Sequence, residues 1–229
     1  MVKRHLKRLN TPKTWAVKRK VEKFLTRPFP SGHSYLYSLS LNQLLKSLKI
    51  AKTTREVKYI VNNKQVLVDQ HKRSDEKSPV GFMDVVSFPD TDQHFRVTLN
   101  SVRKLVGIAI DKKEASKKIC KVSGKKMHNG KIQLALHDGR TLLLDKTDVK
   151  VGDSIIIELP SQKIVSRIPF EKGTKVIFVK GRFLGKTGVV DTIDAEKVHV
   201  TVDDTKIETL KGFAFPISKD EKEKLTVTA

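Results

Sequence analysis

Residues 40–87 run SLNQLLKSLKIAKTTREVKYIVNNKQVLVDQHKRSDEKSPVGFMDVVS, and hydrophobic spacing divides them into two short helices and a small sheet. Ser40 is a good N-cap before Leu41, Leu44, Leu45 and Leu48, whose i, i+3, i+4, i+7 spacing makes one helical face. Lys46 and Lys49 fall off that face. A second helix is expected with Thr53 or Thr54 as its cap and Val57, Ile60 and Val61 inside, leaving Lys52, Arg55 and Lys58 on the outside. Asn62-Asn63 ends it. Val66 and Val68 then alternate as a strand, His71-Lys72-Arg73 extends outward, and Pro79 to Ser87 supplies another strand. On spacing alone, a helical hairpin with a solvated lysine face would look the same.

The order of these pieces resembles the S4 RNA-binding domain over about 47 residues, carried by Val66-x-Val68-Asp69 and by Gly81-x-Met83-Asp84-Val85-Val86. Many such domains have glycine where this chain has Gln70. The resemblance implies that the outer lysines dock on phosphate oxygens across an RNA groove, fixing position without reading bases.

Charge supports the same direction. The 229 residues hold 46 Lys+Arg against 25 Asp+Glu, a formal net charge of +21, which excludes most ordinary soluble enzymes and favours a polyanionic partner. The excess is concentrated at the front. Residues 1–30 carry ten basic side chains (Lys3, Arg4, Lys7, Arg8, Lys13, Lys18, Arg19, Lys20, Lys23, Arg27) against Glu22 alone, whereas residues 171–216 carry 8 against 7. These first residues offer few core-forming side chains, so a short helix near 13–25 is expected within an otherwise irregular basic arm spanning 1–39. Two states stay open for it: a solvated tail, or an arm ordered by phosphates with Trp15 and Phe24 packed on the protein or on RNA.

From 88 to 170 alternation replaces helical spacing, as in Phe95-Val97-Leu99, Ile132-Leu134-Leu136, Leu142-Leu144 and Ile155-Ile157-Leu159, so a central β domain is expected. Asp138-Gly139 marks a hairpin turn and Val151-Gly152-Asp153 another. Glu114 to Cys120 reads as a short helix with Cys120 as a small buried hydrophobe. His137 and Asp138 form no catalytic pair in this reading, since neighbours on a turn are expected to point apart and no nucleophile is spaced to join them. The 7 histidines are scattered and show no metal spacing, so neither a metal nor another cofactor is expected.

Residues 171–216 contain Lys175 to Val190, which read as strand, tight basic loop and strand, with Gly181, Gly185 and Gly188 allowing close backbone approach to phosphate. The segment resembles the KOW motif, which implies a small SH3-like β-barrel with Lys180, Arg182 and Lys186 on its loop. It is not a nucleotide-binding P-loop: only three residues separate Gly181 from Gly185, and a strand follows where a helix is required. Phe213 and Phe215 are expected on one face of a terminal strand closing the barrel, before a tail at 217–229.

The fold expected is therefore mainly β, made of several small domains, with a small α/β S4-like unit and a basic N-terminal arm. Taken in order, the pieces resemble the S4e family of small-subunit ribosomal proteins of archaea and eukaryotes, in its shorter archaeal form. The carrying residues are His5-Leu6-Lys7-Arg8-Leu9, Pro12-Lys13 and Trp15, then Pro79 to Val86, Cys120-Lys121-Val122, Gly130 to Leu134 into His137-Asp138-Gly139-Arg140, and Gly152-Asp153. Two stretches depart from the family pattern: Lys180-Gly181-Arg182-Phe183 and Pro30-Ser31-Gly32-His33.

That resemblance implies a structural constituent of the small ribosomal subunit, binding ribosomal RNA beside neighbouring ribosomal proteins in the cytoplasm, with no small-molecule substrate, membrane or homo-oligomer. The RNA-binding side chains expected are Lys3, Arg4, His5, Lys7, Arg8, Lys13, Trp15, Lys18, Arg19, Lys20 and Arg27 in the arm. Lys46, Lys49, Lys52, Arg55, Lys58, His71, Lys72 and Arg73 follow in the S4-like unit, and Lys180, Arg182 and Lys186 in the last loop. Two other classes compete. An RNA-modifying enzyme would need a substantial α/β catalytic domain, for which 88–170 is too short and strand-rich; a KOW-bearing transcription factor would have RNA polymerase as its partner. A single cysteine, Cys120, excludes an internal disulfide, and no apolar segment follows the basic N-terminus as a secretory signal requires.

Overall fold

The computed structural model describes residues 5–194, 196–203, 205–219 and 225–227. The chain divides after Ser116 into two compact units. It is mainly β, as expected.

In the first unit the arm folds on the protein itself. Strands β1 (Leu6–Lys7) and β2 (Phe24–Leu25) pair, and β3 (Ser38–Ser40) leads into helix α1 (Leu41–Ser47). Ser40 caps α1 by accepting a hydrogen bond from the Gln43 N–H at 3.3 Å, while Leu41, Leu44 and Leu45 are buried. Helix α2 (Thr54–Asn63) opens on a reciprocal cap between Thr53 and Glu56 and buries Val57 and Val61. The sheet that follows has the order β5-β4-β7-β8-β9, from β4 (Leu67–Val68), β5 (His71–Lys72), β7 (Val85–Phe88), β8 (Gln93–Leu99) and β9 (Leu105–Ala109). Strand β6 (Pro79–Gly81) pairs separately with β3. Strands β8 and β9, expected to belong to the central domain, thus complete the sheet begun at Leu67, because β8 registers directly on β7 from Val85↔Arg96 to Phe88↔Gln93.

Three local expectations are corrected here. No helix forms near 13–25. Pro12 has no N–H to offer, and Trp15 is held 1% exposed with a parallel bridge to Leu105, so tertiary contact overrides weak helical spacing. The arm is also ordered by intramolecular bonds: Leu105 N–H donates to the Thr14 carbonyl at 2.7 Å, Phe29 N–H to Lys77 at 3.0 Å, and the Thr14 hydroxyl to the Leu36 carbonyl. Third, helix α3 (Lys112–Ala115) reaches only the first two residues of the expected 114–120 stretch, and a strand begins at Lys117. The turn after Asp69 forms despite Gln70, with both residues left-handed (φ 51° and 63°) between Val68 and His71.

The second unit contains two five-stranded antiparallel sheets. One has the order β12-β11-β10-β13-β14, from β10 (Lys117–His128), β11 (Lys131–Leu136), β12 (Thr141–Leu144), β13 (Ser154–Glu158) and β14 (Ile164–Ile168). Its long strand β10 pairs with β13 through Lys121 and with β11 from Val122, the change marked by a bulge at Ser123. The other has the order β18-β17-β16-β15-β19, from β15 (Lys175–Phe178), β16 (Thr187–Ile193), β17 (Lys197–Val202), β18 (Thr205–Leu210) and β19 (Ala214–Ser218). Val176, Phe178, Val190, Val198, Val200, Val202 and Ala214 fill its core. Phe213 and Phe215 do not share a strand face: Phe213 lies in a single 3-10 turn before β19, while Phe215 is 2% exposed within it.

Candidate nucleic-acid interface

The arm's cations divide by what their side chains already do. Arg8 is buried: its guanidinium donates to the carbonyls of Glu22 (2.8 Å) and Lys18 (2.7 Å) and to the Glu22 carboxylate (2.9 Å). It is the clamp that shapes residues 18–23, and that work consumes the donors an RNA phosphate would need. Trp15 is enclosed by the protein and tilted against Tyr35, with ring centroids 5.7 Å apart, so no face is left for a base. By contrast His5, Lys7, Lys13, Lys18, Arg19, Lys20 and Arg27 are exposed. Lys3 and Arg4 lie outside the described residues.

His5 packs edge-on against Phe24 at 5.6 Å, and with Lys7, Asn10, Arg27 and Tyr35 it lines a cleft of about 360 Å³. Burial raises the Tyr35 pKa while the nearby Arg27 charge lowers it, leaving a net increase that keeps the phenol protonated as a donor. Lys104, which sequence reasoning did not single out, donates its ammonium to the Lys13 carbonyl and ties that part of the arm down.

In the helical part, Lys52, Arg55 and Lys58 are exposed on or just before α2, as their spacing required. Among the described residues Lys58 makes a long ion-pair contact of 3.7 Å to Glu76. Lys46 is half-buried and donates to the Thr54 hydroxyl at 2.9 Å, linking the two helices instead of standing free. Lys49 is exposed at the left-handed end of α1 (φ 60°), and His71, Lys72 and Arg73 are exposed on and beyond the edge strand β5.

Behind β7 the Gly81-to-Asp84 segment is tightly built. His33 Nε2 lies 2.9 Å from Asp84 Oδ1, both side chains buried, and Asp84 Oδ2 accepts the Gly81 N–H at 2.6 Å. A Cβ on Gly81 would stand 2.3 Å from the His33 ring. Arg96 is fully buried beneath α3, 3.1 Å from the Glu114 carboxylate; desolvation lowers its pKa and the Glu114 charge opposes that shift.

In the second unit, the 179–186 loop holds Lys180 and Arg182 exposed, with Gly181 and Gly185 left-handed (φ 85° and 84°). Lys186 is also exposed but lies 2.9 Å from Asp203. Gly188 has a different task from the one expected: a Cβ there would meet Val200 and Val202 at 2.6 Å, so this glycine permits close packing within the five-stranded sheet and not the approach of a phosphate.

The turn at 137–140 also departs from expectation. Ligand atoms of Cys120, His137 and Asp138 lie within 4.8 Å of one another. Their donors are already engaged. Lys118, fully buried, places its ammonium 2.9 Å from Asp138 Oδ2, and His137 Nδ1 accepts the Lys121 N–H at 3.2 Å. Burial alone would raise the Asp138 pKa; the Lys118 and His137 charges outweigh it and lower it. Beside this cluster Lys121 points its ammonium at the carbonyls of Lys211 (3.1 Å) and Ala214, and desolvation together with the Lys180 charge lowers its pKa to about 8.

Comparison with known proteins agrees with this architecture. The profile described as Ribosomal family S4e matches residues 91–164, the RS4NT (NUC023) domain matches 2–35, and the S4 domain matches 39–86. A small ribosomal subunit protein eS4 from Methanothermobacter thermautotrophicus is 38% identical over 228 residues, covering 96% of this chain and 94% of the relative. Its counterpart from Methanocaldococcus jannaschii is 34% identical over 235 residues, covering 96% of each chain. The crystal structure of the 30S ribosomal protein S4e from Thermoplasma acidophilum superposes with a TM-score of 0.71 at 32% identity, over 81% of this chain and 97% of that one. With an S4 unit behind its basic arm and relatives matched along nearly their whole length, this chain belongs to the eS4 family of small ribosomal subunit proteins.

Proposed function

We propose that this protein is a structural constituent of the small ribosomal subunit that binds ribosomal RNA and supports subunit assembly and translation in the cytoplasm, without catalysing a reaction. The observation that carries the reading is the set of exposed cations on the first unit: Lys7, Lys18, Arg19 and Lys20 in the arm, and Lys52, Arg55 and Lys58 around the start of α2. Such side chains neutralise phosphates and position an RNA helix without requiring base contacts. Neighbouring ribosomal proteins are its other partners in this reading. The arm serves as the main electrostatic anchor, α2 and β5 set the orientation of the S4 unit, and Lys180 with Arg182 forms a separate contact.

Sedimentation of cell extract through sucrose gradients at low and high salt tests the proposal. The protein is expected to stay with the small subunit after the high-salt wash. Migration at the top of the gradient, or with RNA polymerase alone, would overturn it.

A further inference from the structure

We infer that the β10–β11 hairpin is a second RNA-backbone contact, built for a double-helical RNA segment and independent of the arm; this rests on the RNA-binding reading above. Between Glu114 and Asp138 the chain carries six lysines and no acid. The fold gives three of those lysines internal tasks. Lys118 pairs with Asp138, Lys121 donates to the carbonyls of Lys211 and Ala214, and Lys125 donates to those of Thr147 and Val149 at 3.1 Å each. Lys126 and His128 remain: both are exposed, and among the described residues no hydrogen bond or ion pair engages either.

Register places them usefully. Lys126 faces Gln133 and His128 faces Lys131 across the hairpin, so Lys126, His128, Lys131 and Gln133 share one face. Met127 stands opposite Ile132 and belongs to the other face. Two residues apart on one strand is about 6.5 Å, a spacing comparable to that of successive phosphates on a nucleic-acid strand. Among the described residues Lys131 forms an ion pair with Asp145, at 3.2 Å with both side chains more than half exposed, a pair that phosphate competes with easily.

The tip is held rather than loose. Asn129 and Gly130 are both left-handed (φ 48° and 75°) between His128 and Lys131, the two-residue turn that matches strand twist. The bulge at Ser123 separates the buried base of β10 from its exposed end. A pre-ordered ribbon bearing cations fits the wide, shallow minor groove of duplex RNA, where phosphates and 2′-hydroxyls are accessible.

The test uses the full chain with a fluorescently labelled RNA duplex, titrated across a salt series. The K126Q/H128N/K131Q variant is expected to melt like the unaltered protein and to lower the salt slope by about 2, at 0.7–0.9 per phosphate contact. The K18Q/R19Q/K20Q variant is expected to lower it separately and additively. A hairpin variant with unchanged slope, beside an arm variant that weakens binding, would overturn the hairpin site and leave the RNA-binding reading intact. Failure of the unaltered protein to bind the duplex would overturn both. Loss of poly-glutamate binding by the hairpin variant with RNA binding unchanged would show that the face meets an acidic polypeptide, which also overturns the proposal.

Discussion

His33 Nε2 sits 2.9 Å from Asp84 Oδ1, directly over Gly81, so the end of the basic arm is fastened to the β6–β7 turn by a buried polar pair. The absent side chain of Gly81 makes that fastening possible. Gly81→Ala is therefore expected to destabilise the protein by about 1–3 kcal/mol, the usual range for overpacking. Chemical denaturation reads the effect, and the same change in a His33→Ala background should cost clearly less. Equal costs in the two backgrounds would show that the ring is not the obstacle.

The turn at Asp69-Gln70 holds two non-glycine residues in left-handed conformations. Each is strained by about 1–2 kcal/mol, while glycine adds some unfolded-state entropy. Gln70→Gly is expected to stabilise the first unit by roughly 0.5–1 kcal/mol. A lower denaturation midpoint for the variant would contradict this.

Lys118 and Asp138 form a buried ion pair at 2.9 Å. Removing the Asp138 carboxylate strands the buried Lys118 charge, so Asp138→Asn should cost about 3–5 kcal/mol; Lys118→Met should cost less, because Arg140 Nε still lies 3.3 Å from Asp138 Oδ2. The double variant Lys118→Met with Asp138→Leu should recover much of that loss. Additive losses in the double-mutant cycle would mean that the two side chains act separately.

Lys121 gives stability a pH dependence. Its pKa is about 8 in the folded protein against an ordinary 10.5, so between those values the unfolded chain binds more protons. Stability from this group therefore rises with pH from about 8 to 10.5, by about 3 kcal/mol at most. Denaturation of the unaltered protein should show that rise relative to Lys121→Met. Parallel pH profiles for the two proteins would refute the assignment.

Arg8 and the Lys18-Arg19-Lys20 run should separate structure from binding. Arg8→Ala is expected to speed tryptic cleavage within 18–23 while leaving the salt slope of RNA binding nearly unchanged. Neutralising the three exposed residues should lower the slope by about 2, at 0.7–0.9 per contact. The reverse pattern would make Arg8 the RNA ligand. Deleting residues 1–30 outright is a poorer test, because it also removes Trp15 from the core.

Local chemistry made much of this protein legible in its sequence. Ser40 and the leucine spacing after it determined α1, Thr53 with Glu56 determined the start of α2, and Asp138-Gly139 determined a hairpin turn. Each depends on side chains within a few residues of one another. The charge excess of the arm was equally plain, since charge is a property of composition.

Only the tertiary structure decided which of those charges remain free. Arg8 and Lys121 are cations in the sequence like any others, yet backbone carbonyls 10–93 residues away accept their hydrogen bonds. Trp15 looked available to RNA until Leu105 and Tyr35 enclosed it, and β8 joined the first unit because its register on β7 is a long-range pairing. Composition and periodicity report what a residue can do. Burial and hydrogen-bond partners depend on chain segments distant in sequence, so only the folded chain determines what is left for it to do.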